Sequence, residues 1–255
     1  MKTMKTTYLF ALLLAGASLA AQAQEGPAIT PYRPSVSTPA QLPAPGQLEF
    51  EFGVLAARGA DPRRDSLPYT FKLAFDKDWG VLVNGEATVR MRGEGANANG
   101  FGDTQLVLKR AFVVDDATAF GLELGVKTPT AKDTIGSGSS DWDVNAIYSR
   151  DFGDNHMDAN LNETRLGAPD PGAARMQTGA SASFSMPLDE RWSATWELSG
   201  THNSGAPSTA QALAALGFMP NKRLAFDVGF TRGLTPGTPH WSLFTGFVVP
   251  LANLW

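Results

Sequence analysis

The side chains in this sequence best placed to do chemistry are charged residues set inside otherwise apolar stretches. Glu49, Glu51, Lys72, Glu86, Arg90, Asp103, Lys109, Glu123, Lys127, Asp143, Glu197 and Asp227 share one face of their segments with Gly, Ser, Thr and Asn, while the opposite face is greasy. Acids and bases so placed need not react. Lining a wet bore, they select a passing solute by charge, or neutralise one another, as Glu86 with Arg90 and Glu123 with Lys127 could across a narrow interior.

Other groups suggest sharper chemistry but carry no motif. Asp103, Asp141 and Asp143 offer the hard oxygen ligands that Ca²⁺ takes. His202, with Ser204 beside it, and His240 fall near long loops. A Ser, a His and an orienting acid there would serve lipid hydrolysis or acyl transfer. Arg58, Arg63 and Arg64 could grip lipopolysaccharide phosphates through charge-assisted hydrogen bonds. The run from Gly136 to Asp141 has neither the Lys-Thr pair nor the following helix of a phosphate cradle, and reads as a flexible loop. The residues therefore predict no catalytic set, no metal centre and no cofactor.

What must position the charges is a set of strands. Leu48, Phe50, Phe52 and Val54 alternate with Gln47, Glu49, Glu51 and Gly53, and this period of two recurs to the C-terminus, as in Phe120, Leu122, Leu124, Val126 and Trp241, Leu243, Thr245, Phe247. The run from Thr209 to Leu216 is ambiguous, because Ala210, Ala212 and Ala214 fit period two while so Ala-rich a stretch also suits a helical turn. Short links at Asp76 to Asp78, Asp115-Asp116, Gly153 to Asn155, Leu188 to Glu190 and Pro220 to Lys222 alternate with longer segments rich in Gly, Pro and Asn. That rhythm predicts an all-β, up-and-down antiparallel transmembrane β-barrel over 47–255, of about twelve strands, with both ends on the short-turn, periplasmic side.

The N-terminal region reads differently. Lys2 and Lys5, the apolar run Tyr8 to Leu19 and Ala21-Gln22-Ala23 have the form of a signal peptide over 1–23, cleaved on export. Pro27, Pro31, Pro34, Pro39, Pro43 and Pro45 then deny a helix, so 24–46 reads as an extended, Pro-rich periplasmic lead. The absence of Cys removes disulfides, thiolate sites and a lipid attachment point. A net charge of −4 with no basic cluster excludes a nucleic-acid partner.

Beyond the signal, no stretch approaches the roughly 18 to 20 apolar residues a spanning helix needs. Strands of about ten residues suit an apolar band about 25 Å tall, and in hydrocarbon the sheet must close, because an open edge leaves N–H and C=O groups unpaired. A soluble sandwich or lipocalin-like barrel would turn its greasy residues inward. The mid-strand charges favour a wet lumen, with lipid outside. The expected location is the outer membrane of a Gram-negative cell, among its lipids and lipopolysaccharide.

Gly100-Phe-Gly-Asp103, Gly121 to Lys127, Pro129-Thr130, Gly136-Ser-Gly-Ser139, Asp141 and Ser149-Arg-Asp-Phe-Gly153 resemble the outer-membrane transporter family of the meta-pathway of phenol degradation. Ala131 departs from that pattern, since such proteins often have Gly after the Pro-Thr pair. The resemblance implies a channel-like, porin-like barrel admitting aromatic or other hydrophobic compounds. Trp255 resembles the terminal aromatic read by the barrel-assembly machinery, although Pro250 interrupts the last alternation. The expected function is thus passive transport of small, hydrophobic or aromatic solutes by a non-enzyme. Its alternatives are an outer-membrane lipid-modifying enzyme and a structural barrel with a closed lumen.

Overall fold

The period-two segments form strands throughout. The computed structural model describes residues 26–60, 62–93 and 97–255, so the segment read as a signal peptide lies outside the described residues. In chain order the strands are β1 (Gln47–Arg58), β2 (Arg63–Ala74), β3 (Trp79–Arg92), the short β4 (Ala98–Gly100), β5 (Thr104–Val113), β6 (Thr118–Thr128), β7 (Asp141–Phe152), β8 (Asn155–Arg165), β9 (Met176–Pro187), β10 (Trp192–Asn203), β11 (Thr209–Asn221), β12 (Leu224–Gly233) and β13 (Trp241–Asn253). Strand β4 pairs only with β3. The other twelve pair antiparallel with their neighbours, and β1 pairs with β13, which closes the ring. Closure leaves no open edge among these twelve, as hydrocarbon demands.

The ambiguous alanine run is strand. Leu213 faces Glu197 on β10 and Ala215 faces Gly229 on β12, so β11 is hydrogen-bonded along both sides. A helix preference of a few tenths of a kcal/mol per residue cannot compete with two ladders whose loss would orphan backbone groups in lipid. At the seam, the register of β1 with β13 slips between Leu48 and Glu49, opposite Ala252 and Pro250. The proline, which has no N–H to donate, sits at the bulge, and the strand continues to Asn253.

Apolar side chains dominate the outer face and polar ones the inner, the reverse of a soluble barrel, with Leu82, Val107, Ile147 and Val248 turned inward in small apolar clusters. Leu122, Leu124, Val144, Trp196, Leu198 and Val228 are all exposed on the outer surface. Aromatic rings pack there too: Phe50 lies 4.7 Å from Phe71, and Trp192 lies 4.7 Å from Phe218 beside a short turn. Introducing Leu124→Arg near the middle of β6 is expected to cost about 2–4 kcal/mol of folding into a bilayer, read from denaturant titration in lipid vesicles. A soluble barrel would lose almost nothing.

Four of the five short turns share one device. Asp76, Asp115, Asp189 and Asn221 each accept the backbone N–H of the residue two further on, at 2.8, 2.9, 2.7 and 2.9 Å respectively. Such Asx turns reverse the chain in few residues, which is why these links stay short. The donated N–H of Ala117 holds the Asp115 carboxyl below its ordinary range, and that of Arg191 does the same for Asp189.

Candidate functional site

The lumen is occupied by the chain's own N-terminal segment. Residues 26–46, the described part of the segment 24–46 read from sequence as a periplasmic lead, enter at the short-turn end, where the Ile29 N–H donates to the Lys222 carbonyl at 2.9 Å. They rise inside the wall and return to β1, where the Gly46 N–H donates to the Ala74 carbonyl at 3.0 Å. The prolines keep the segment extended, so its backbone groups find no partners in a helix or hairpin of their own. Buried backbone must be satisfied somewhere, and the polar faces of the strands do it.

Carboxylates take the donors. Glu49 accepts from Thr30 N–H at 3.1 Å, Glu51 from Tyr32 N–H at 2.7 Å, and Glu197 from both Val36 and Ser37 N–H at 2.8 Å. The Ser149 hydroxyl accepts from Ala40 N–H at 2.7 Å, and Asn160 bonds both the N–H and the carbonyl of Thr38. Lysines take the acceptors: Lys72 donates to the Thr30 carbonyl and Lys109 to the Pro39 carbonyl. The same ammonium groups pair with the wall, Lys72 with Glu49 at 2.9 Å and Glu51 at 2.6 Å, and Lys109 with Glu123 at 2.9 Å. The Tyr32 ring lies between them, 4.3 Å from one nitrogen and 4.4 Å from the other.

Arg33 reaches far along the chain. Its guanidinium forks onto Asp227 with bonds of 2.7 and 2.8 Å. Gly53 and Gly246, partners across the β1–β13 seam, make room for it; a Cβ on either would fall within 2.6 Å of an Arg33 nitrogen.

The predicted lining separates into three groups. Glu49, Glu51, Lys72, Lys109, Glu123, Glu197 and Asp227 are buried in the lumen against the N-terminal segment or its partners. Glu86, Asp103, Lys127 and Asp143 line a chamber beyond it, toward the long loops. Arg90 is on the outside. Between Ser66 and Pro68 of β2 the register slips, β3 carries one extra residue, and the faces exchange. Val89 therefore turns inward, fully buried, and Arg90 turns outward, exposed.

The pairings also differ from those read off spacing. Glu86 pairs with Arg64 rather than Arg90, and Glu123 with Lys109 rather than Lys127. Lys127 bridges Asp141 at 2.7 Å and Asp103 at 3.4 Å, placing an ammonium where the calcium reading put a metal. Among the described residues no three His, Cys, Asp or Glu side chains converge as metal ligands. Of the three arginines assigned to lipopolysaccharide, Arg58 pairs with Asp65, Arg64 is turned into the lumen, and Arg63 is exposed.

The histidines do not form a triad. His202 is exposed and meets Ser208 at 2.8 Å, not Ser204, with no acid bonded to its ring among the described residues. His156 lies between Asp151 and Asp158, but Ser149 donates to Asp158 and not to the imidazole, so no base touches a serine there.

The segment divides the lumen. On the long-loop side is the chamber of about 740 Å³, and on the short-turn side one of about 290 Å³ that reaches His156, Asp158 and Ser185. Tyr32, Arg33 and Ser35 line both. Sequence reasoning missed these three, because a proline-rich stretch carries no period to say which way it faces. Ser149 and Asn160 were legible as polar-phase residues, without any sign of what they would bond.

No family model and no curated protein matches this sequence. Among solved structures the chain is similar to the NanC porin, with a TM-score of 0.57 at 8% identity over 80% of this chain and 100% of that one. It is also similar to the KdgM porin, with a TM-score of 0.55 at 9% identity over 80% of this chain and 99% of that one. At such identities the likeness is one of fold: a closed antiparallel barrel of the outer-membrane porin type.

Proposed function

We propose that this chain is an outer-membrane channel for small polar solutes whose bore is closed at rest by its N-terminal segment acting as a plug. One observation carries the reading: a single stretch, Tyr32 to Ser35, separates two polar chambers that would otherwise be continuous. The plug is held by hydrogen bonds and ion pairs, which water can replace, more than by an apolar core. A barrel filled only for strength would gain more from packed hydrocarbon. The porin fold of the NanC and KdgM structures agrees with a channel.

The resemblance to the phenol meta-pathway transporters suggested hydrophobic or aromatic cargo. The lining favours polar cargo instead, since a greasy molecule in the larger chamber would strip water from Asn84, Gln105, Asp143 and Thr164 without replacing their hydrogen bonds. Export through a cleaved signal and insertion through the assembly machinery, with lipopolysaccharide around the outer rim, complete the reading.

Arg33→Ala tests it. Removing the guanidinium leaves Asp227 buried and unpaired while the plug stays seated, a penalty of about 3 kcal/mol that displacing the plug relieves. The open population in planar-bilayer recordings is then expected to rise roughly a hundredfold over the full wild-type chain. A variant as silent as wild type would favour the closed structural barrel.

A further inference from the structure

We infer that the chamber on the long-loop side is a binding site for a small organic cation bearing several N–H donors, an alkylammonium or guanidinium compound, with Asp143 as its counter-ion. The inference rests on the channel reading only in making that cation the cargo.

Asp143, on β7, is served by a relay of amides. The Asn84 amide nitrogen donates to Gln105 Oε1 at 3.1 Å, and Gln105 Nε2 donates to Asp143 Oδ1 at 2.8 Å. Both amides are thereby oriented toward the carboxylate, which projects over Gly125, where a Cβ would meet it at 2.3 Å. No lysine, arginine or histidine among the described residues pairs with Asp143. The bases lining the chamber are already engaged: Arg33 with Asp227, Arg64 with Glu86, and Lys127 with Asp141 and Asp103. The chamber is left with an excess of negative charge.

A second and independent feature lies two residues along the same face. Asn145 lines the same chamber and is 8% exposed. Its amide nitrogen donates to Glu123 at 2.8 Å, which fixes the orientation, because a carboxylate can only accept. The opposite atom, Asn145 Oδ1, is a buried acceptor with no donor. Such an atom is costly to leave unmet, and what it lacks is an N–H or O–H. The acid without a base calls for a cation, and Asn145 Oδ1, closed off from the chamber as it stands, gains its donor when a guest draws that side chain toward Asp143. A neutral sugar would leave Asp143 uncompensated, and an anion would be repelled by it. A bare metal ion lacks converging ligands, and about 740 Å³ admits a far larger guest.

The probe is putrescine, titrated calorimetrically into the full chain in detergent, with butane-1,4-diol as neutral and succinate as anionic control. Wild type should bind putrescine and neither control. Asp143→Asn is expected to weaken binding by about tenfold or more. Gln105→Lys, which sets a tethered ammonium beside Asp143, should abolish it. Heat-modifiable migration in gels identifies folded barrels, and with two variants of opposite design the result does not hang on one folding. Equal binding of the diol, an unchanged affinity in Asp143→Asn, or no binding to wild type overturns the inference. Planar-bilayer recording of an Arg33→Ala chain, with putrescine binding read only on chains that keep Arg33 because it lines the chamber, keeps the two proposals apart. A silent Arg33→Ala barrel beside a wild type that binds putrescine sinks the channel and keeps the site, whereas a conducting one beside a wild type that does not bind it sinks the site alone.

Discussion

Replacing Lys72 with methionine is expected to destabilise the plugged barrel by about 3–5 kcal/mol. Lys72 has no exposed surface, and its ammonium holds Glu49, Glu51 and the Thr30 carbonyl together. Methionine keeps much of the stem's volume but leaves two carboxylates two residues apart on one face, both buried and neither compensated. Desolvation then has no Coulombic return. The barrel can escape only by releasing the plug and letting water reach the acids, so unfolding stability and closure should fall together. Adding Glu51→Gln to the same chain removes one of the two charges and should recover part of the loss, a coupling that a double-mutant cycle isolates. Tryptophan fluorescence during urea unfolding in lipid vesicles reads both. An unchanged midpoint in Lys72→Met would mean that these groups are hydrated and that the plug does not bury them.

Deleting residues 27–44 should have the largest effect on transport. The wall keeps its own ion pairs, Lys72 with Glu49 and Glu51 and Lys109 with Glu123, so the barrel has reason to persist. The space left by the segment joins the chambers of about 740 and 290 Å³ into one water-filled bore. Planar-bilayer conductance is expected to become steady and to rise by more than the roughly hundredfold expected of Arg33→Ala over the time-averaged full chain, because a wider and permanently wet path replaces a gated one. A deletion variant that folds yet stays silent would mean that the lumen collapses on itself, as in a structural barrel.

Much of this architecture was legible in the sequence, for a simple reason. A strand between lipid and water has two solvents, one on each face, and Phe120 to Val126 or Leu48 to Val54 record both in alternation. Turn chemistry at Asp76, Asp115 and Asp189 separated the strands, since an Asx turn needs only its own side chain and the next few N–H groups. What alternation cannot record is a one-residue insertion. The bulge in β3 reversed the faces and moved Arg90 outside while leaving the pattern of types plausible. Nor does spacing along one strand identify partners, because cross-strand register brought Lys109 and not Lys127 to Glu123. The placement of the N-terminal segment was hidden more deeply. Its prolines announced an extended chain, and the buried charges of the wall announced a need for partners. Nothing local joined Arg33 to Asp227, 194 residues away.

The most direct measurement is a cross-link between plug and wall in the cell. Thr38 and Asn160 touch through both backbone and side chain, and the chain has no cysteine of its own. Thr38→Cys with Asn160→Cys, expressed in intact outer membranes, should form a disulfide nearly to completion and resist a membrane-impermeant maleimide until reduced. Two thiols that never join and label freely from outside would place the segment elsewhere and contradict a barrel closed by its own N-terminal chain.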